Sequence, residues 1–364
     1  MPKPPPTRRV PQAGERIDGG RYQLVRKLGA GGNGVVWLAN HTAMSSQVVI
    51  KFPNAIVLKE ESGREQFEQE VRSLVAYSNR HPHIVNVLDV GNHQGRPFVV
   101  MQHLTNGSLA AFVYGTPGFI TPGAARLHST GRWVVAIAEA LDCLHSSGLV
   151  HRDVKPGNIL LDESFSAYLA DFGIATMATT RLAILDQLLN AFVDNTQVVG
   201  SLPYIAPEVL LGEKPTAASD QYSLAVTVYE YLSGRQPYEA ASAKELAELH
   251  AKQGWTPLLT RRPDIAPAVW DVLARGLGAD PRGRFESCGH FATEVAARWP
   301  SPPRDASMPP RTKRPLPSSD TKQATKETSV VDQTQAETKA RDQRKTLKLS
   351  RLMRDQNGGP NRDS

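Results

Sequence analysis

Cysteine is scarce in this sequence, which has two cysteines, Cys143 and Cys288, among 364 residues. They lie far apart and match neither the spacing of a zinc site nor that of a disulfide framework. Small cross-linked folds are thereby excluded, and the chain is long enough for a large apolar core and more than one folding unit. Reduced thiols are typical of the cytoplasm, so we expect a cytoplasmic protein.

Long apolar runs are also missing. No stretch reaches the roughly 18 uninterrupted apolar residues of a membrane span, and the best candidate, residues 133–144, contains Glu139 and Asp142. The first residues are rich in proline and lack the apolar core of a signal peptide. We therefore expect neither a transmembrane segment nor a secreted protein.

Aromatic residues are absent from residues 301–364, and net charge is absent from the rest of the chain. Residues 301–364 carry 14 Lys/Arg against 8 Asp/Glu, whereas residues 1–300 carry 28 of each. This composition predicts a basic disordered tail over residues 300–364, with a short basic helix around Leu349 as the alternative. Since the basic character belongs to the tail, we expect no nucleic-acid binding by the folded part.

Glycine clusters near the start, after a flexible lead-in that we predict for residues 1–20. Gly29, Gly31 and Gly34 form a GxGxxG pattern between two strand-like segments. A dinucleotide site would need a helix directly after the glycines, but the sequence continues with a Val-Val-Trp-Leu run that favours a strand. The pattern therefore indicates a hairpin, which either covers phosphates or is a plain glycine turn.

A strand-like run of β-branched residues, 47–52, carries Lys51 near its end. The next segment, residues 62–78, has apolar residues at helical spacing and places Glu70 toward the inward face of the helix. A buried charge is costly unless it is paired, and Lys51 is a suitable partner. A solvated glutamate and a lysine that solubilises a strand edge are the alternatives.

The densest group of polar residues lies in the segment 151–161, which reads His-Arg-Asp-Val-Lys-Pro-Gly-Asn-Ile-Leu-Leu. It places a carboxylate, an ammonium group and a carboxamide two and three residues apart, at Asp153, Lys155 and Asn158. A second short motif, Asp171-Phe172-Gly173, follows soon after. Such a group of side chains suits a site that holds charge and a metal ion.

The secondary-structure signals change along the chain. Strands predominate up to about residue 101, and amphipathic helices follow. The clearest segments are strands at 84–90 and 97–101 and helices at 133–145, 220–233 and 267–277. This order predicts an α+β protein whose two lobes are joined near residues 102–107.

Six motifs, in the order in which they occur along the chain, resemble those of the eukaryotic-like (Hanks-type) serine/threonine protein kinases. The sequence around these motifs resembles that of the bacterial members of the family. They are the glycine-rich loop, Val48-Val49-Ile50-Lys51, Glu70, the segment from His151, Asp171-Phe172-Gly173 and Ala206-Pro207-Glu208. The resemblance covers about residues 20–298. It implies a bilobal protein-kinase fold over residues 21–299, with a β-rich N-lobe that has one regulatory helix (21–101), a hinge (102–107) and a larger helical C-lobe (108–299).

The resemblance implies phosphoryl transfer with ATP and Mg²⁺ as cofactors, and with Mn²⁺ as a substitute metal. Asp153 would orient the substrate hydroxyl and accept its proton. Lys155 would contact the transferred phosphate, and Asn158 and Asp171 would bind the metal.

For ATP, the resemblance implies a site in which Lys51 holds the α- and β-phosphates and is oriented by Glu70. Backbone N–H groups of the glycine-rich loop would cover the phosphates, and apolar side chains would sandwich the adenine. The predicted ATP-binding set is Leu28, Gly29, Gly31, Gly34, Val36, Val49, Lys51, Glu70, Met101, Gln102, Leu104 and Leu160.

The resemblance also implies protein substrates that carry Ser or Thr, because Lys155 and Gly200-Ser201 match the serine/threonine-specific form of the family. Arg152, beside the expected base, predicts regulation by a phosphate on the activation segment, residues 171–208. The candidate acceptors of that phosphate are Thr176, Thr179, Thr180, Thr196 and Ser201.

Two further features carry predictions. The apolar residues 182–192 of the activation segment either pack on the protein's own lobe or form a self-association surface. Glu208 and Arg284 resemble a buried ion pair of the family.

Two functions of other kinds are the alternatives: a catalytically inactive kinase-like scaffold, and a kinase of small molecules. The presence of Lys51, Asp153, Asn158 and Asp171 argues against the scaffold. The Ala206-Pro207-Glu208 motif, with Gly200-Ser201 shortly before it, favours polypeptide substrates.

Overall fold

A six-stranded antiparallel sheet forms the first part of the protein. The structure, a computed structural model, describes residues 11–31, 34–53, 71, 75–78, 80–114, 131–171, 201–240 and 243–299. The strands are β1 (Arg16–Ile17), β2 (Tyr22–Gly31), β3 (Gly34–His41), β4 (Ser46–Phe52), β5 (Val87–His93) and β6 (Arg96–Gln102). They lie in the order β1-β2-β3-β4-β6-β5, so β1 and β5 are the two edges.

The sheet has two unlike faces, because successive side chains of a strand point to opposite sides. One face is an apolar core formed by Ile17, Tyr22, Leu24, Trp37, Ala39, Val48, Ile50, Phe52, Phe98 and Val100. Register pairs Val36 with Lys51 and Val49 with Met101 on the other side. We call this side, with Val36, Val49, Lys51 and Met101, the open face, since its three apolar side chains are only half-buried.

The N-terminal segment is part of the sheet, which corrects the prediction of a flexible lead-in over residues 1–20 for its second half. Ile17 is fully buried and pairs with Tyr22. Side chains of this region also reach β5 at the opposite edge, where Glu15 lies 3.1 Å from His93 Nε2 and Arg21 lies 2.5 Å from Asp89. The sheet therefore curls until its two edges meet.

Helices dominate the rest of the described chain and confirm the predicted α+β order. They are α1 (Leu109–Tyr114), α2 (Arg132–His145), α3 (Pro207–Leu210), α4 (Ala217–Ser233), α5 (Ala243–Ala251), α6 (Leu258–Arg261), α7 (Pro267–Gly276) and α8 (Cys288–Ala297). Two short strands, β7 (Ile159–Leu161) and β8 (Ala167–Leu169), pair between α2 and α3. None of the helices in the described ranges is long and apolar enough to cross a membrane.

Helix α4 is the centre of the second core. All residues from Ser219 to Leu232 are buried, and the helix packs against α2, α7 and α8. Its ends carry local signals: Thr216 and Ser219 form a capping box, and Gly234 ends the helix with φ 73°. A helix buried on all sides must pair every polar side chain that it carries.

The predicted ion pair between Glu208 and Arg284 is confirmed. Both side chains are buried, and two parallel hydrogen bonds of 2.8 and 2.7 Å join them. Arg284 also donates to the carbonyl oxygens of Ala218 and Gly278, each at 2.9 Å. This guanidinium therefore ties α3 to the start of α4 and to the segment that follows α7.

Replacing Arg284 with Met should lower the free energy of unfolding by about 3–5 kcal/mol, because Glu208 would stay buried without its partner. The matched control is Arg282→Met, since the Arg282 side chain is 89% exposed in its pair with Asp280. We expect the control to change stability by about 0.5 kcal/mol or less. Urea denaturation measures both, and equal losses in the two variants would contradict the assigned role of the buried pair.

Candidate active site

The predicted polar residues come together on one loop between α2 and β7, residues 151–158, which we call the polar loop. Lys155 Nζ donates to both carboxylate oxygens of Asp153, at 2.9 and 2.8 Å. Asn158 Nδ2 donates to the backbone oxygen and to Oδ2 of the same aspartate, each at 2.8 Å. The Asp153 carboxylate is therefore fixed by a cation on one side and by an amide on the other.

Ser201 joins this group from a distant part of the sequence. Lys155 Nζ donates to Ser201 Oγ at 2.7 Å, so one ammonium group links the hydroxyl to the Asp153 carboxylate. The 3-10 helix Leu202–Tyr204 and α3 follow directly and are buried against the second core. A hydroxyl group is thereby held beside a carboxylate and an ammonium group.

Lys51 on the open face pairs with Asp171 just beyond β8. The Nζ–Oδ1 distance is 2.7 Å, and Lys51 is 7% exposed. Burial by itself raises the pKa of the Asp171 carboxyl, but the attraction and hydrogen bond of Lys51 outweigh this and hold the pKa below its usual value. The sheet thus meets the segment after β8 at an ion pair. Glu70, which the sequence suggested as the partner of Lys51, lies outside the described ranges.

Two oxygen atoms at this site have no hydrogen-bond donor among the described residues. Both partners of the Asn158 amide are acceptors, so its NH₂ group must face Asp153 and its Oδ1 points elsewhere. No described residue donates a hydrogen bond to Asn158 Oδ1 or to Asp171 Oδ2. A carboxamide and a carboxylate oxygen are hard ligands that suit Mg²⁺.

Strands β2 and β3 form the predicted hairpin, in which Gly31 pairs with Gly34. At Gly34, with φ 121°, a Cβ atom would lie 2.1 Å from the backbone oxygen of Phe52, so this glycine is required by the close approach of β4. A Cβ at Gly29 would meet nothing within 4 Å, and Leu28 is 40% exposed. Gly31 ends β2 at the turn itself.

The remaining predicted adenine contacts are half-buried. Gln102 ends β6, and Leu104 lies in the connection that follows. This connection is bonded to β7, which carries Leu160: Asn106 N donates to Leu161 O at 3.0 Å, and Leu161 N donates to Gly107 O at 2.8 Å. Leu160 of β7 is half-buried, as are the apolar side chains of the open face. These backbone bonds connect β7 to the segment that follows the open face.

Several predicted residues lie outside the described ranges. They are Glu70, Thr176, Thr179, Thr180, Thr196 and the apolar residues 182–192. Their roles stay predictions.

Asp220 in the first turn of α4 is the main residue that the sequence analysis missed. It is fully buried and accepts hydrogen bonds from His151 N at 2.7 Å, Arg152 N at 2.8 Å and the His145 ring at 2.8 Å. Arg152 has φ 70°, a strained backbone for a residue other than glycine, and these bonds hold it. The sequence did contain a signal for this role, because Asp220 is an acidic residue in a segment whose apolar pattern otherwise predicts a completely buried helix.

His151 joins the polar loop to the segment that carries Asp171. Its ring is buried, and Nε2 lies 3.1 Å from the Ala170 backbone oxygen. Burial lowers the pKa of His151, which favours the neutral ring. The Ala170 N–H in turn donates to Asn158 O at 2.8 Å. The two acidic residues Asp153 and Asp171 are thus fixed in one framework.

Comparisons with known proteins bear on the family and the fold. The family model described as "Protein kinase domain" matches residues 22–296. The serine/threonine-protein kinase PknH of Mycobacterium bovis is 36% identical over 286 residues, which are 79% of this chain and 45% of that protein. PknA of Mycobacterium tuberculosis is 35% identical over 309 residues, 82% of this chain and 66% of that protein. The chain therefore spans less than half the length of the PknH relative.

Among solved structures, the chain is similar to the kinase domain of Mycobacterium tuberculosis PknI. The TM-score is 0.57 at 27% sequence identity, and the match covers 79% of this chain and 99% of that domain. The expected bilobal fold, with its curled N-terminal sheet and helical second lobe, is thereby confirmed.

Replacing Lys51 with Met should raise the pKa of Asp171, because burial would then act without the opposing ammonium group. The measurement is a carbon NMR titration of the aspartate carboxyl groups. Lys27→Met on the exposed side of β2 is the matched control and should leave the Asp171 titration unchanged. An unchanged pKa of Asp171 in the Lys51 variant would show that the pair does not persist in solution.

Proposed function

The chain belongs to the protein kinase family, and we propose that it is a serine/threonine protein kinase that transfers the γ-phosphate of ATP to hydroxyl groups of proteins. One observation carries this proposal: the polar loop, Ser201 and the Lys51–Asp171 pair bring two carboxylates, two ammonium groups and a hydroxyl into one network. Phosphoryl transfer needs mainly alignment and neutralisation of charge, and these groups supply both.

Asp153 is the proposed base. Its carboxylate, held by Lys155 and Asn158, would orient the substrate hydroxyl and accept its proton, while the γ-phosphoryl group leaves ADP and bonds to the substrate oxygen. Lys155 would contact the transferred group as a point charge. Because Lys155 also binds Ser201, the substrate-binding segment and the base are positioned by the same ammonium group.

Asn158 Oδ1 and Asp171 Oδ2 would hold Mg²⁺, with Mn²⁺ as a substitute, since both are hard oxygen atoms without a described donor. The metal supplies neutralisation of the phosphate charge. Lys51 and Asp171 now neutralise each other. Binding of the nucleotide with its metal would exchange partners, so that Lys51 contacts the α- and β-phosphates and Asp171 the metal.

The adenine site that we propose combines the open face, Gln102 and Leu104 of the connection, and Leu160 of β7. Half-buried apolar side chains on the sheet offer the surface that a flat base needs. Leu28, Gly29, Gly31 and Gly34 lie along the turn that would cover the phosphates. Glu70 would orient Lys51 once Asp171 has turned to the metal.

Regulation would act through Arg152. Its backbone is fixed by Asp220 next to the base, so a phosphate that pairs with its guanidinium would order the activation segment. The acceptors that we propose are Thr176, Thr179, Thr180 and Thr196. Ser201 is already engaged by Lys155, which favours a positioning role over a role as acceptor. The apolar residues 182–192 would serve self-association.

Radiolabelled ATP, the full chain and a generic basic protein test the proposed activity. Wild type should label serine and threonine but not tyrosine, and Asp153→Asn should lower the rate by about 10²–10⁴-fold because the base is lost. Lys51→Met should abolish labelling, whereas Asp280→Asn at an exposed position should act as wild type.

Equal labelling by wild type and both site variants, or no labelling by any folded protein, would contradict the proposal and favour a scaffold. Phosphosites mapped after expression in a host without other protein kinases test the regulatory part. Phosphate on the activation segment of the Asp153→Asn protein would exclude autophosphorylation as its source.

A further inference from the structure

His145, the last residue of α2, lies between two carboxylates on different elements. Its side chain is 10% exposed, Nε2 lies 2.8 Å from Asp220 Oδ2, and Nδ1 lies 3.8 Å from Asp142 Oδ1. The Cys288 thiol at the start of α8 faces the same place, since potential ligand atoms of Asp142, His145 and Cys288 lie within 4.8 Å of one another. The groups known to face the ring are thus two acids and a thiol.

The carboxylates of Asp142 and Asp220 also accept hydrogen bonds from backbone N–H groups. Asp220 accepts from His151 and Arg152 of the polar loop. Asp142 accepts from Cys288 N at 3.0 Å and from Gly289 N at 2.8 Å, which are the first N–H groups of α8. The imidazole ring therefore joins the N-terminus of one helix to the loop that carries the proposed base.

The charge on the His145 ring determines how strongly the ring binds Asp142 and Asp220. A protonated imidazole offers an N–H on both nitrogens, whereas a neutral ring offers one and turns a lone pair toward the other carboxylate. Burial by itself lowers the pKa of His145, but the two nearby carboxylates, Asp142 at 3.8 Å and Asp220 in a hydrogen bond of 2.8 Å, outweigh this and raise the pKa to about 9. Burial raises the pKa of the Cys288 thiol well above its usual value, so it adds no charge near neutral pH.

We propose that the protonated His145 is a positioning residue, which holds Asp220 in place and through it the orientation of the polar loop. The predicted effect on turnover rests on the proposed kinase activity, whereas the predicted effect on the orientation of the polar loop does not. Loss of the ring proton leaves Asp220 buried with a weaker set of donors, so the His151 and Arg152 N–H bonds loosen. Asp153 is the next residue along the chain, and its alignment with the substrate hydroxyl is lost.

The sign of the pH dependence follows from the direction of the pKa change. The pKa of His145 in the folded protein lies above its ordinary value of 6.5, so the stabilisation is complete below that pH and is lost as the pH rises through about 9. The turnover number should fall by about tenfold across this upper range. The KM for ATP should stay unchanged, because no contact among the described residues joins Lys51 or the open face to His145, Asp142 or Asp220.

The experiment follows the full chain by two readouts. Nitrogen NMR of labelled histidine and backbone amides gives the titration of His145 and of the His151 and Arg152 N–H signals. Steady-state kinetics over the same pH range give the turnover number and the KM. We expect the ring, both amides and the turnover number to share one apparent pKa near 9.

Two variants move this pKa without removing the ring. Asp142→Asn removes one charge and keeps an acceptor oxygen for one of the two α8 N–H groups. Gly289→Ala places a Cβ 2.8 Å from Asp142 Oδ2 and displaces it. Both should lower the pKa of His145 and shift the alkaline loss of turnover to lower pH by the same amount. Glu294→Gln, an acid-to-amide change at an exposed ion pair of α8, is the matched control and should shift neither.

The outcomes separate the two proposals. A His145 pKa near its ordinary value, or amide signals that do not follow the ring, would overturn the inference even in an active enzyme. A pKa that moves in the variants without moving the kinetic profile would leave His145 a structural residue only and would also overturn it. If the protein transfers no phosphate but the ring and amides titrate together, the positioning of the loop stands and the kinase activity fails.

Discussion

The buried carboxylate of Asp220 is the constraint on which the site depends. Burying an ionised carboxylate is costly unless donors surround it, and here two consecutive backbone N–H groups and the His145 ring do so. Since Asp220 belongs to α4, the most completely buried helix described, the polar loop is anchored to the rigid centre of the second lobe. The strained backbone of Arg152 and the direction of Asp153 follow from this anchor.

Charges at the site are arranged in pairs, and in the proposed function the nucleotide and its metal would replace one partner of each. Lys155 pairs with Asp153, and Lys51 pairs with Asp171, so each carboxylate is held in place by an ammonium group. A nucleotide with its metal would bring anionic phosphates for the lysines and a cation for the carboxylates, so that each group could exchange its partner for one of the same sign. Positioning by fixed pairs suits phosphoryl transfer, because this reaction needs alignment and charge more than covalent chemistry.

Local patterns predicted much of the fold and the polar loop. The strand at 97–101 and the helices at 133–145, 220–233 and 267–277 fall within three residues of their expected bounds, whereas the strand expected at 84–90 begins at Val87 and ends at His93. Most of the helix predicted at 62–78 lies outside the described ranges. Short spacing alone brings Asp153, Lys155 and Asn158 together. The strand Arg16–Ile17 was missed because two residues show no periodicity. Asp220 was missed because its partners lie 68 and 69 residues away and an acid in a first helical turn is ordinarily explained by the helix dipole. Likewise, no spacing rule joins Lys51 to a residue 120 positions away.

The most direct test of the central claim is the rate of the chemical step in Asp220→Asn, measured by rapid-quench phosphoryl transfer under single-turnover conditions. The amide that replaces the carboxylate cannot accept both backbone N–H groups with equal strength, so the base should lose its alignment. We expect the step to slow by about a hundredfold or more, while ATP affinity and cooperative unfolding are retained. A chemical step within about twofold of wild type would contradict the dependence of the site on this buried carboxylate.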